Sequence, residues 1–180
     1  DPDNIEVNFD DYLKGYSDNV KDILENFKFV DEVKTMVKGK VLYVVIQEFS
    51  SKKGDMSLDK ITSADMGYIF EELIRKFSES YNEEAGAHFT SRDIIYLMTE
   101  LLVSPEKEEI VQNGCYKTAY DMAMGTSQML GCLTERLKEI NPDAELTCFG
   151  QEFNPETYAI AKSDMLIKGG NAGGMKYGDT

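Results

Sequence analysis

Two short apolar stretches flanking a helical one constrain this chain more than any other feature. Tyr116 to Asp121, and Glu145 to Glu152 with Leu146, Cys148 and Phe149, read as strands, while Ser127 to Ile140 repeats apolar residues at helical spacing. A strand, a helix and a strand in that order form a βαβ unit, whose strands pair in parallel. The spacing therefore predicts an α/β fold with ligand-binding turns at the carboxyl ends of its strands.

The rest of the chain is mainly helical. Tyr12, Leu13, Tyr16, Val20, Ile23, Leu24 and Phe27 mark one helix face between Asp10 and Phe29, with a break expected near Ser17-Asp18. Val30 to Val37 and Val41 to Phe49 fit two helices or a helix and a strand, and their helical neighbours favour two helices. The polar stretch 50–55 is a connection, which puts a boundary near residue 60 and divides the chain into a helical region, 1–60, and a second unit, 61–180. Met66, Ile69, Phe70, Leu73, Ile74, Phe77 and Tyr81 predict a helix over 63–83. Thr90 and Asp93 read as a capping pair before a helix ending ahead of Pro105. The acidic run 105–109 reads as a solvated loop, 155–167 as a helix and the glycines of 169–174 as a flexible link.

Composition excludes several classes. Hydrophobic residues make up 42% and aromatics 11% of 180 residues, enough for a packed core and unlike a disordered chain. The net charge of −14 repels a phosphate backbone, and Lys34, Lys38, Lys40, Lys52 and Lys53 are too interleaved with acids to offset it, so the chain is a poor DNA clamp. Three cysteines without metal-ligand spacing argue against disulfides and zinc and fit a reducing cytoplasm. No apolar run is long enough to span a bilayer. His88, the only histidine, is read as a loop residue and Cys148 as a small core residue.

The chemistry converges on the turn Asp121 to Ser127. Gly125 lets backbone approach a ligand there, and Glu152 ends the second strand where a carboxylate accepts hydrogen bonds from ribose hydroxyls. These residues predict an adenosine pocket. They fit equally well as turn residues and a solvated strand end, since one glycine is no fingerprint.

Longer stretches carry a resemblance: Asn8-Phe9 through Tyr12-Leu13, residues 22–29, 67–77, 82–90, 121–130, Gly150-Gln151-Glu152 and 159–162. In that order they resemble the modification subunit of type I restriction-modification systems. The resemblance implies a truncated Rossmann-like fold with a helical amino-terminal region, and S-adenosylmethionine-dependent methylation of adenine N6 in DNA. It implies as partners DNA reached through a specificity subunit, the specificity and motor-nuclease subunits themselves, and a second copy of the chain, with no membrane. It assigns cofactor contacts to Phe89 and Thr90, to Asp121, Gly125 and Thr126 in the turn, to Glu152 on the ribose and to Asp179 near the adenine ring. The chain departs from the family at Ser91 and Met122, where proline is usual, and at Ser127 and Gln128, where glycine is usual. Ser127 thus puts a Cβ where glycine would leave room for ligand.

The family's Asn-Pro-Pro-aromatic loop, which grips a flipped adenine, is absent. Asn141-Pro142 and Asn154-Pro155 read as a turn and a helix start. No catalytic residue is therefore assigned: the chain is expected to be part of a longer protein, to supply only the donor side of the reaction and to be inactive alone, with room after Glu152 for a helix and a loop but not for the other strands of a doubly wound sheet. Two other functions fit the same residues. One is a non-catalytic module that docks partner subunits without binding cofactor, and the other is a methyltransferase for a different substrate.

Overall fold

The computed structural model describes residues 4–57, 59–61, 69, 72, 73, 76 and 90–180. The stretch 63–83 lies largely outside them, though its described positions Ile69, Glu72, Leu73 and Lys76 are helical. His88 and Phe89 also lie outside the described residues, so the contact assigned to Phe89 has no structural counterpart to report.

Four short helices open the chain: α1 (Ile5–Lys14), α2 (Asp18–Asn26), α3 (Phe29–Lys38) and α4 (Leu42–Phe49). The break expected near Ser17-Asp18 is present, with Ser17 extended at ψ 159° before α2 begins. Lys28, in the left-handed region at φ 53°, then turns the chain into α3. The run after Val41, whose pattern also suited a strand, is helix α4, with Leu42 buried and Val44 and Phe49 exposed. Ile23, Val33 and Leu42 are the buried apolar residues of this region, a thin core by itself.

The helix expected after Thr90 is α5 (Arg92–Val103). Ser91 takes the capping position and makes no side-chain cap hydrogen bond, so the Thr90 and Asp93 pair does not form as a cap, although Asp93 still places negative charge in the first turn. The acidic run expected as a loop is instead ordered. Ser104–Glu106 form a 3-10 turn that leads into α6 (Lys107–Ile110), and Glu106 and Glu109 each lie 2.5 Å from the Lys117 ammonium. These hydrogen bonds hold the Lys117 pKa above its ordinary value. The carboxylates clamp the segment to the sheet while Ile110 is buried beneath it.

The βαβ unit forms as expected: β1 (Tyr116–Asp121), α7 (Gln128–Ile140) and β2 (Glu145–Glu152), followed by α8 (Pro155–Ile167). A third strand, β3 (Met175–Tyr177), corrects the expectation that only a helix and a loop follow Glu152. Three residues are too few to show a period, and the strand exists through its pairing with β2, Gly150 opposite Met175 and Glu152 opposite Tyr177. The sheet order is β1-β2-β3 with both pairs parallel, compatible with an α/β methyltransferase-like fold. The expected glycine link is likewise structured, since 172–174 form a 3-10 turn with Ala172 and Gly174 buried.

Strand alternation gives the sheet two unlike faces. Ala119, Leu146, Cys148 and Met175 face α7 and α8 and join Met124, Leu130, Tyr158, Ala161 and Met165 in one core. Cys148 is buried there, as a small core residue should be. Val103, Ile110, Leu137 and Ala144 make a second core under α5 and α6. On the other face Tyr116, Tyr120 and Phe149 are exposed. No helix among the described residues is long and apolar enough to cross a membrane.

Candidate functional site

Parallel strands carry all their following turns to one edge, so Asp121, Gly125, Thr126, Glu152 and Asp179 reach the same side of the sheet. The turn after β1 is tied down amide by amide. The Ala123 N–H donates to Asp121 Oδ1 at 3.1 Å, the Met124 N–H to the Gln151 carbonyl at 3.0 Å, and the Gly125 N–H to Glu152 Oε2 at 3.0 Å. The other oxygen of Glu152, Oε1, accepts from the Asn154 N–H at 2.7 Å. Asn154 in turn caps α8, its Oδ1 accepting from the Thr157 N–H at 3.0 Å, with Pro155 in the first helical turn. Asn141 makes the other expected turn, donating to the Ile110 and Gln112 carbonyls.

Strand β3 brings in the last candidate. The Gly178 N–H donates to the Glu152 carbonyl at 3.0 Å, and Gln151 Nε2 donates to the Asp179 carbonyl. The Asp179 carboxylate accepts the neighbouring Thr180 N–H and is exposed. Thr90 is exposed just ahead of α5. The structure thus brings Asp121, Gly125, Thr126, Glu152 and Asp179 to one edge, while Thr90 lies just ahead of α5, whose Arg92 lines one cleft with Thr126. Among the described residues no group of three or more His, Cys, Asp or Glu is placed to hold a metal ion.

Behind the turn a cleft of about 320 Å³ runs between α5, α7 and α8. Thr126 and Gln128 line it, together with Arg92, Glu135, Asp164 and Lys168, but Asp121, Gly125, Glu152 and Asp179 do not. Burial pushes the Asp164 carboxyl above its ordinary range although Lys168 pairs with it at 2.9 Å. Thr126 therefore belongs to the wall of that cleft, while Asp121, Gly125, Glu152 and Asp179 form an edge beside it.

Sequence reasoning missed the residues that shape this edge. Met124 is buried, and its side chain lies so close to Gly150 that a Cβ on Gly150 would come within 2.3 Å of the Met124 sulfur. Gln151 and Asn154 work through a carbonyl and an amide, which side-chain identity does not advertise. Ser127 corrects an expectation. Its side chain is wholly buried, so the crowding expected toward a ligand falls on the protein interior. It opens α7 in the left-handed region at φ 63°, and its Oγ has no hydrogen-bond partner among the described residues. Ser127→Gly is expected to raise stability by about 1 kcal/mol, because it relieves left-handed strain and an unpaired buried hydroxyl. A urea midpoint that falls instead would show that the side chain packs favourably.

Residues 62–180, about two thirds of the chain, match the family described as N-6 DNA methylase. The chain belongs to the N-6 DNA methylase family. Comparison with curated proteins gave no match. Membership supports a DNA methyltransferase, with N6 of adenine as the target implied by the family's name and S-adenosylmethionine as the implied methyl donor. The donor set of this methylase fits that molecule: the carboxylates of Asp121 and Glu152 accept hydrogen bonds and suit a ligand that is cationic and carries hydroxyls. Each Glu152 oxygen accepts one backbone amide and keeps a second lone pair for a ligand hydroxyl.

Proposed function

We propose that this N-6 DNA methylase is the donor-binding part of a type I restriction-modification modification subunit, with residues 61–180 forming half of a Rossmann-like domain behind a helical unit, 1–60. The observation that carries the reading is Glu152 at the end of β2, bonded across the sheet edge to Gly125 in the turn after β1. Bound S-adenosylmethionine would supply an electrophilic methyl group on its sulfonium. Glu152 holds the ribose hydroxyls, Asp121 and the turn through Thr126 hold the methionine end, and Asp179 stands by the adenine. Thr90 and Phe89 complete the contacts from the chain ahead of α5. These residues align the donor and offset its positive charge, and none of them acts as a covalent nucleophile. The specificity subunit reads DNA and the motor-nuclease subunit joins the same cytoplasmic assembly, which accommodates a second copy of the chain. The strongly acidic chain has little means to hold DNA by itself.

Calorimetric titration with S-adenosylmethionine tests this reading. The wild-type chain is expected to bind saturably, and Asp121→Ala and Glu152→Ala are each expected to weaken binding by about tenfold or more, the value of a hydrogen bond to a charged group. No binding by the folded wild-type chain, or equal binding by both variants, would overturn it.

A further inference from the structure

The turn after β1 raises a mechanical question. Gly125 stands in the left-handed region at φ 55°, and a Cβ added to it would meet no atom within 4 Å. Gly125 is half-buried and open on the side where a Cβ would project, whereas Met124 just before it is locked in the core over Gly150. The Gly125 N–H itself is bonded to Glu152, 27 positions away, across the sheet edge. The same carboxylate holds the Asn154 N–H, and Asn154 is the residue that starts α8.

We propose that Glu152 is a positioning residue for both turns: its carboxylate pins the Gly125 turn to the start of α8 before any ligand arrives, presetting the edge that receives the donor. A carboxylate suits this task because it is acceptor-only and can take one amide on each oxygen. A charged acceptor also makes a stronger bond to N–H than a neutral one. The proposal deepens the donor-site reading and rests on it for its consequence in binding, while the pinning itself is a property of the ligand-free chain.

Amide hydrogen exchange of the ligand-free chain, resolved by NMR, reads the pinning directly. In Glu152→Ala the Gly125 and Asn154 amides are expected to exchange at least tenfold faster, with the Ala161 amide in the middle of α8 unchanged. Glu152→Gln retains one acceptor oxygen and is expected to keep one of the two amides protected. A second measurement separates positioning from ribose contact. An S-adenosylmethionine analogue whose ribose lacks both hydroxyls cannot use Glu152 as a hydroxyl acceptor, yet Glu152→Ala is expected to bind it at least fivefold more weakly than wild type does. Unchanged exchange at Gly125 and Asn154, or equal binding of that analogue, overturns the proposal. Failure of the donor-site reading looks different: wild type then shows the protected amides but binds neither S-adenosylmethionine nor the analogue.

Discussion

Asp22→Ala is expected to cost about 2 to 3 kcal/mol of stability to urea, although Asp22 lies in the first helical region and far in sequence from the sheet. Its carboxylate accepts from the Lys162 ammonium and, at 2.8 Å, from the Tyr158 hydroxyl, both on α8. The Lys162 side chain is 8% exposed, so removing Asp22 strands a buried ammonium whose remaining partner among the described residues is the Tyr158 oxygen at 3.1 Å. Because Asp22 is itself 39% exposed, water reaches the pair and holds the cost below that of breaking a fully buried one. Asp22→Leu with Lys162→Met is expected to recover most of the loss, since it removes both charges together. An Asp22→Ala midpoint equal to wild type would show that α2 is held to α8 by apolar contact alone.

The same pair sets a pH dependence. Burial works to raise the Asp22 carboxyl, but the hydrogen bonds from Lys162 and Tyr158 outweigh it and hold the group below its ordinary 3.8. Its contribution is present above that value and is lost as pH falls through the lower folded value. Burial likewise works to lower Lys162, but Asp22 and Tyr158 outweigh it and raise the group above 10.5. That contribution is present below 10.5 and is lost as pH rises through the folded value. Urea stability of wild type minus that of the double variant is therefore expected to be flat near neutral pH and to fall at both extremes.

Gly174→Ala is expected to cost about 2 to 3 kcal/mol and to free β3. A Cβ at this position would stand 2.5 Å from the Cys148 carbonyl and 2.7 Å from Asn171 Nδ2. The carbonyl belongs to the backbone of β2 and cannot swing aside as a long side chain could, so the chain must move away. Met175, 1% exposed and paired with Gly150, would be withdrawn from the core with it. The check is the urea midpoint together with faster exchange of the β3 amides. A variant as stable as wild type would mean that β2 and β3 can separate at little cost. At the candidate site, losing β3 would also release Asp179, whose place depends on Gly178 and Gln151.

Much of this edge was legible from residue order. The strands Tyr116–Asp121 and Glu145–Glu152 and the helix Pro155–Ile167 stand at the bounds their apolar pattern predicts, because each alternates or repeats over enough residues to show its period. Strand β3 was not legible: three residues carry no period, and Met175 is strand only because Gly150 lies beside it. The acidic run at 105–109 reads as solvent-facing by composition, and only the placement of Lys117 turns Glu106 and Glu109 into a clamp.

The candidate site divides along the same line. Side-chain type and position in a βαβ unit sufficed to single out Asp121, Gly125 and Glu152. The sequence by itself determined the βαβ order, the turn at 121–127 and the carboxylate ending the second strand, because these follow from local periodicity and from where parallel strands must end. Tertiary structure decided that Glu152 binds the Gly125 and Asn154 amides, that the Ser127 side chain turns inward and that Asp22 meets Lys162. Each of those depends on how elements distant in sequence approach one another, and backbone amides take part in such contacts without leaving any mark in the order of side chains.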